Sequence, residues 1–260
     1  MPHPATTSTG GVAKGSGAAG HMAVSMRRRR LACAARVILP CLGMVIYGVS
    51  LALMPHDMFL WVFDSEYGPV EIGTAACWFT ACALAFGLAV RTRGRAPAAV
   101  RVLYVLFALG ALFAGLEEIS YGQHLFGWQS PRWFVEKNAQ HETNLHNLFS
   151  DKPTKTLRNA AIAGVTVGGI VLPAAAMWAG GQFAPGRFAY YLLPRSELIP
   201  LVTVTLLMRL FRTLPHGLRE GRDTALFEML ELYVAITALL YVLIVRRRLL
   251  SVDTPRGDGA

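Results

Sequence analysis

Long apolar blocks constrain this chain more than any other feature, because each is about as long as a lipid bilayer is thick. A helix needs about 20 mainly apolar residues to cross the hydrocarbon core. Six such blocks are predicted as spans: residues 31–54, 69–90, 100–116, 157–178, 190–211 and 225–245. Lipid admits only helices or closed barrels, and the blocks are too long for strands. The sequence therefore predicts an all-α, polytopic membrane helix bundle of about six transmembrane helices.

The composition supports a membrane protein over a soluble one. Hydrophobic residues make up 53% of the chain and charged residues only 16%, and small residues are frequent in the third and fourth blocks, where they allow close helix packing. Residues 27–250 are predicted to form the bundle. The flanking segments, 1–26 and 251–260, are predicted to be disordered tails, the first being rich in Gly, Ala, Ser and Thr.

The net charge of +9 comes mainly from arginines that cluster beside apolar blocks, at 27–30, 91–101 and 246–248. Nucleic-acid binding is excluded, because a basic face with interleaved aromatic residues is missing. By the positive-inside rule the clusters place both termini in the cytoplasm and the protein in the plasma membrane. One connection, 209–222, carries four arginines on the opposite side and disagrees with this orientation.

The connection between the third and fourth spans, residues 117–156, is long for a compact protein. It carries several aromatic residues, among them Trp128, Trp133 and Phe134, which argue against disorder. We predict an interfacial helical segment here, with its aromatic face at the lipid headgroups.

Carboxylates collect at the predicted outer ends of the spans. Glu71 begins the second span, Glu117 and Glu118 end the third, and Glu228 and Glu231 begin the sixth. Ionisable groups at membrane depth are costly and usually functional, and a random distribution would place them on both faces. We therefore predict a polar site at the outer face, with Glu117, Glu228 or Glu231 as the general base.

Histidines of the same connection suggest a metal. In HETNLHN (141–147), Glu142 and His146 are four residues apart and face one point if the segment is helical; the alternative is a weak pair on a surface helix. The predicted ligands of a zinc or iron ion are Glu118, His124, His141, Glu142 and His146.

Further polar residues are assigned to the same site. In a helical continuation of the third span, Glu117, Tyr121 and His124 share one face. Arg195 and Glu197, between two prolines of the fifth span, extend the site inward or tie helices together. The remaining members are Glu71, Gln123, Asn144 and Asn147.

EEISYGQ followed by NAQHETNLHN resembles a pattern found in uncharacterised bacterial multi-pass membrane proteins, over residues 115–148. This resemblance implies a helix bundle in the bacterial inner membrane. ISYGQ is also faintly similar to the alkaline-ceramidase-like membrane hydrolases, which hold zinc with three histidines. Two of those histidines lie close together in a late span, whereas the sixth predicted span here has none.

Three functions are open at this point. The first is a metal-dependent hydrolase acting on a lipid or lipid-linked substrate at the outer leaflet. The second is a transporter or a protein that binds ions or protons, with Glu197, Glu228 and Glu231 as a protonatable path. The third is a non-catalytic accessory subunit. Membrane lipid is the expected partner in each, together with a lipid or small-molecule substrate in the first two, and the sequence leaves the oligomeric state open.

Overall fold

A computed structural model describes residues 15–65, 67–138, 141–145, 153–184, 186–211 and 223–250. These residues form helices, turns and loops, and no strand occurs among them. The helices are α1 Gly15–Leu53, α2 His56–Phe63, α3 Pro69–Arg91, α4 Ala98–Glu118, α5 Gln123–Phe126, α6 Arg132–Lys137, α7 Pro153–Thr166, α8 Leu172–Trp178, α9 Phe188–Leu192, α10 Ile199–Phe211 and α11 Asp223–Leu250. A short π-helical stretch, Val167–Val171, joins α7 to α8.

Five helical segments are long and apolar enough to cross a membrane: Ala34–Leu53, Pro69–Arg91, Ala98–Glu118, Asn159–Trp178 and Thr224–Leu250. Each has at least 20 residues, which at ~1.5 Å per residue gives roughly the 30 Å of the hydrocarbon core. Many large apolar side chains on their outer faces are exposed, as lipid-facing residues should be. The all-helical class predicted from the sequence is thus confirmed, and the length and composition of these five helices agree with a membrane protein.

The fifth predicted span, 190–211, is not one continuous helix. It divides into α9 and α10, and residues 193–198 between them are not helical. Pro194 and Pro200 explain the break, because proline cannot donate the backbone hydrogen bond and disfavours helical backbone in the preceding residue. α10 has 13 residues, too few to cross the bilayer as a helix alone. The count of six spans stays a prediction.

The centre of the bundle is formed by α3, which packs along α4 on one side and along α11 on the other. Small side chains allow this approach: Ala81 and Ala85 of α3 and Ala235 of α11 are fully buried. α1 lies at the periphery, where the Tyr233 hydroxyl of α11 donates to the Pro40 carbonyl of α1 at 2.5 Å. α1 begins at Gly15, within the predicted N-terminal tail, whereas 1–14 and 251–260 lie outside the described residues.

One end of the bundle is organised by arginine and tyrosine. The Arg248 guanidinium donates to the backbone carbonyls of Tyr190 and Leu193, at 2.9 and 2.7 Å, and so closes the end of α9. The Tyr191 hydroxyl donates to the Arg95 carbonyl at 2.9 Å, and the Tyr104 hydroxyl donates to the Tyr191 carbonyl. We call this the arginine end; the glutamates at the start of α3 and α11 and at the end of α4 lie at the other end.

The connection after α4 contains the short helices α5 and α6. Residues 141–145 are bends rather than helix. The predicted pairing of Glu142 with His146 required a helix, and the chain is not helical up to Leu145. Residues 146–152 lie outside the described part. That the segment lies at the membrane interface stays a prediction.

A pair of adjacent glycines tests the packing of the π-helical stretch. A Cβ added to Gly169 would lie 2.7 Å from Cγ2 of Val202 in α10, whereas one added to Gly168 meets nothing within 4 Å. We expect Gly169→Ala to destabilise the bundle by about 1–3 kcal/mol through overpacking, and Gly168→Ala to leave its stability unchanged or higher. Thermal unfolding in detergent measures both; equal midpoints for the two variants would contradict this packing.

Candidate functional site

Three glutamates from three central helices meet at the end opposite the arginine end. Glu71 lies in the first turn of α3, Glu118 is the last residue of α4, and Glu228 lies in the second turn of α11. One carboxylate oxygen of each lies within 4.8 Å of the others. Because α4 runs antiparallel to α3 and α11, the end of one helix and the beginnings of the other two share this depth. We call these residues the glutamate triad.

Glu231, one turn after Glu228 on α11, extends the triad. It lies near enough to interact electrostatically with both Glu118 and Glu228. Glu228 also interacts electrostatically with Glu71. Two unit charges 4.8 Å apart repel by ~3–4 kcal/mol at an effective dielectric constant of about 20. The arrangement therefore favours occupants that bring positive charge, such as protons or a cation.

The ligand set of the triad consists of oxygen atoms. Among the residues whose side chains are described, the triad is the only group of three or more His, Cys, Asp and Glu with ligand atoms this close together. All three members are half-buried, so that the oxygens face a partly desolvated space. Carboxylate oxygens are the ligands preferred by magnesium, calcium and manganese, and they also bind iron.

The predicted histidine ligands do not join this group in the described part of the chain. His141 is exposed and its Nδ1 lies 2.6 Å from the Val135 carbonyl oxygen, within hydrogen-bonding distance. The Glu142 carboxylate accepts hydrogen bonds from the Ser120 hydroxyl and from the Asn144 amide, the latter at 3.1 Å. His141 and Glu142 as metal ligands together with Glu118 are therefore not supported by the geometry. The His124 side chain, His146 and Asn147 lie outside the described residues.

Residues 141–145 instead pack against the end of α4 through buried polar groups. The side chains of Ser120, Asn138, Glu142 and Asn144 are all at most 5% exposed. The Asn138 amide donates to both oxygens of Asn144, at 2.9 Å to the backbone and 2.7 Å to the side chain. The Asn144 amide in turn lies 3.2 Å from the Ser120 hydroxyl. These hydrogen bonds, which we call the loop network, fix Asn138 and residues 141–145 to the end of α4.

Glu117 connects the loop network to the glutamate end. Its side chain is 4% exposed, and its Oε2 accepts the backbone N–H of Leu145 at 2.7 Å. Tyr121 donates a side-chain hydrogen bond to Glu117; burial first, and then this acidic neighbour, raise the pKa of the phenol above its usual value. The Tyr121 hydroxyl is therefore protonated at neutral pH.

The contact between Tyr121 and Glu117 does not arise from a helical continuation of α4, which was the prediction. α4 ends at Glu118, and Ser120, Tyr121 and Gly122 follow with φ of 45°, 54° and 81°. Left-handed backbone at two consecutive non-glycine residues is uncommon and costs of order 1–3 kcal/mol each. The turn reverses the chain, so that Tyr121 lies back against Glu117.

Several residues of the loop network were not singled out in the sequence. The Gln123 side-chain oxygen accepts from the Thr143 backbone N–H at 2.9 Å and from the Ser130 hydroxyl at 2.7 Å. The Thr143 hydroxyl donates to Ser130 at 2.9 Å. Gln123 thus belongs to the connection rather than to a ligand shell. Ser120, Ser130, Asn138 and Thr143 carry no sequence signal beyond being polar.

An apolar cavity of about 410 Å³ adjoins the glutamates. Glu117, Glu118 and Glu231 lie on its wall, and the other lining residues are small or apolar: Trp78, Phe107, Gly110, Ala111, Phe113, Ala114, Ala161, Ile162, Leu230 and Val234. They belong to α3, α4, α7 and α11. The polar end of the cavity thus lies at the glutamate end of the bundle, where Glu118 belongs to both the cavity wall and the triad.

Arg195 and Glu197 lie at the arginine end, away from the triad. The Glu197 carboxylate accepts the backbone N–H of Arg195 at 2.6 Å and interacts electrostatically with Arg248. The Arg195 guanidinium stacks over the Phe183 ring at 5.4 Å. Glu228 and Arg248 are separated along α11 by about 30 Å at ~1.5 Å per residue. The prediction that Glu197 extends the outer site inward is therefore wrong.

No family model, no curated protein and no solved structure matches this chain. Arguments on function therefore rest on the geometry of the glutamate end.

The loop network predicts a difference between two glutamates of the same connection. Glu142→Ala removes the buried acceptor of Ser120 and Asn144, and we expect a loss of about 1–3 kcal/mol in the local stability of the segment. Glu136 pairs with Arg132 at 2.9 Å with both side chains exposed, so Glu136→Ala should cost little. Hydrogen exchange over residues 138–145 measures both effects. Equal protection in the two variants would contradict the network.

Proposed function

We propose that this protein is an integral membrane hydrolase whose glutamate triad binds a divalent cation and which acts on a lipid or lipid-linked substrate. The observation that carries the proposal is the meeting of Glu71, Glu118 and Glu228, from three membrane-crossing helices, within 4.8 Å. Ionisable groups at the ends of such helices are costly, and three of one sign at one point are best explained by a cationic ligand.

The chemistry of the ligand atoms limits which cations the triad suits. Three carboxylates without a described histidine or cysteine favour a hard ion, magnesium or manganese foremost, and are compatible with iron. Zinc, the other ion predicted from the sequence, more commonly takes nitrogen and sulfur ligands. Because zinc is also bound by carboxylates, it belongs in the same binding assay.

In this proposal the residues around the cavity have different roles in the hydrolysis. A metal ion held by Glu71, Glu118 and Glu228 would supply Lewis acidity and would lower the pKa of a water bound to it. Glu231 lies beside the triad and on the cavity wall, which suits a general base that takes the water's proton. Glu117 lines the same cavity, but its hydrogen bonds with Leu145 and Tyr121 suit a positioning residue.

The surroundings favour a lipid substrate. The triad lies at one end of helices that cross the membrane, beside a cavity with an apolar wall. Arginines at the opposite end favour the cytoplasmic side for that end and for both termini. The glutamate end then faces the outer leaflet of a bacterial inner membrane.

Cation binding provides the first test. Purified wild-type protein should unfold at a higher temperature in the presence of manganese or magnesium, because a ligand of the folded state stabilises by about 2.7 kcal/mol at one hundred times its Kd. Glu71→Gln and Glu118→Gln each remove one carboxylate and should abolish this shift. Thermal unfolding with manganese, magnesium, iron and zinc measures it, together with electron paramagnetic resonance of bound manganese.

Glu197→Gln is the matched control, since Glu197 lies at the arginine end. It should retain the full cation-dependent shift. The proposal fails if no cation stabilises the wild type, or if Glu197→Gln and Glu118→Gln lose the shift equally. Loss of hydrolysis of a lipid substrate in Glu231→Gln, with cation binding retained, would separate the base from the ligands.

A second candidate function is proton or cation transport, and the meeting of Glu71, Glu118 and Glu228 within 4.8 Å favours it, because carboxylates that lie together at the end of membrane helices are typical of proton and ion pathways. Protein reconstituted in vesicles with a pH-sensitive dye should then carry proton flux, which Glu228→Gln abolishes and Glu197→Gln leaves intact. Flux in the absence of hydrolysis would replace the first proposal, whereas impermeable vesicles would dismiss the second.

A further inference from the structure

We propose that the cavity between α4, α7 and α11 binds a single hydrocarbon chain of a lipid, with the polar head group of that lipid at Glu118 and Glu231. This inference rests on the proposed function and names the part of the substrate that the cavity recognises. Its basis is a wall that is polar at one end only.

The shape of the cavity suits one extended chain. Along α4 its wall runs from Glu117 to Phe107, which at ~1.5 Å per residue is about 15 Å, or half the hydrocarbon core. Its volume of about 410 Å³ is near the lower end of the ~300–1,000 Å³ typical of ligand pockets. A narrow space of this depth accommodates one chain rather than a two-chain lipid.

The chemistry of the wall excludes a polar occupant at depth. Below the carboxylates, the cavity is lined by alanine, glycine, aliphatic and aromatic side chains. A water molecule requires two to four polar partners to remain in such a place, and the deep wall, around Phe107 and Trp78, offers hardly any. A hydrocarbon chain instead restores the dispersion contacts that a void forfeits.

The entrance faces the side of the bundle. Gly110 and Phe113 of α4 and Ala161 of α7 line the cavity and are exposed. A chain from the surrounding bilayer therefore reaches the cavity between these two helices without leaving hydrocarbon. No hydrophobic gain accompanies such a transfer, since lipid is as apolar as the wall. Selection thus depends on fit and on the head group.

Photolabelling tests the position of the chain. The probes are two hexadecyl phosphates in nanodiscs with manganese, one with a diazirine at the far end of the chain and one with it beside the phosphate. We expect the far-end probe to label Phe107 and Trp78, and the head-side probe to label Ala114. Leu106 and Leu109 are 57% exposed on the outer face of α4 and report labelling by ordinary bilayer lipid.

A glycine variant tests the cavity itself. A Cβ at Gly110 meets no atom within 4 Å, so Gly110→Phe fills the entrance without a backbone clash. It should lower labelling of Phe107 and Trp78 about tenfold, which corresponds to ~1.4 kcal/mol of lost binding, and leave Leu106 unchanged. Gly87→Phe is the matched control, because Gly87 is equally unobstructed and lies outside the cavity wall. If Gly110→Phe fails to fold, Ala161→Phe blocks the entrance from α7.

The outcomes separate this inference from the proposed function. Gly110→Phe should retain the cation-dependent rise in unfolding temperature and lower the far-end labelling of Phe107, whereas Glu71→Gln should lose the rise. Labelling of Phe107 that is unaffected by both Gly110→Phe and Ala161→Phe, or that matches Leu106 under competition with unlabelled hexadecyl phosphate, would overturn the hydrocarbon site. It would leave cation binding at the triad standing.

Discussion

Electrostatic repulsion among carboxylates at a membrane boundary is the constraint on which the glutamate end depends. Glu71, Glu118 and Glu228 come from helices that bury small side chains against their neighbours, among them Ala81 and Ala235, so the repulsion opposes this packing. A lipid environment penalises charge further. We therefore expect positive charge shared among the oxygens of the triad to stabilise the packing of the helices at this end.

The loop network has a different role: it provides hydrogen-bond partners for backbone and side-chain amide groups where α4 ends. Glu117 accepts the Leu145 N–H, and Glu142 accepts from Ser120 and Asn144. The two adjacent glutamates thus make different contacts: Glu117 binds the connection after α4, and Glu118 belongs to the triad. Successive helical residues point about 100° apart, which is what allows one helix end to serve both. The left-handed turn at Ser120 and Tyr121 brings the connection within reach, and its strain is offset by these buried hydrogen bonds.

The sequence was sufficient for the class of fold and for the depth of the carboxylates. Apolar blocks of helix length set the spans, and topology then placed Glu71, Glu118 and Glu228 at one end, since alternate helix ends share a side of the membrane. Side-chain direction was beyond the sequence: the histidine-based ligand set assumed a helix at His141–Leu145, where the chain bends. Pro194 and Pro200 indicate the break before α10 in the sequence. The position of Glu197 near Arg248, by contrast, depends on tertiary packing. The cavity is equally a product of packing, with no motif of its own.

The two ends of the bundle differ in the chemical groups that lie in contact. This difference indicates at which end the proposed reaction would take place. At the arginine end, Arg248 and Tyr191 donate to backbone carbonyls, which are neutral and do not titrate. At the glutamate end, Glu71, Glu118 and Glu228 lie close to one another, and carboxylates gain or lose protons and cations without unfolding a helix. The apolar cavity opens beside the second set of contacts and not the first. For this reason we place the proposed chemistry, and the head group of the proposed lipid, at the glutamate end.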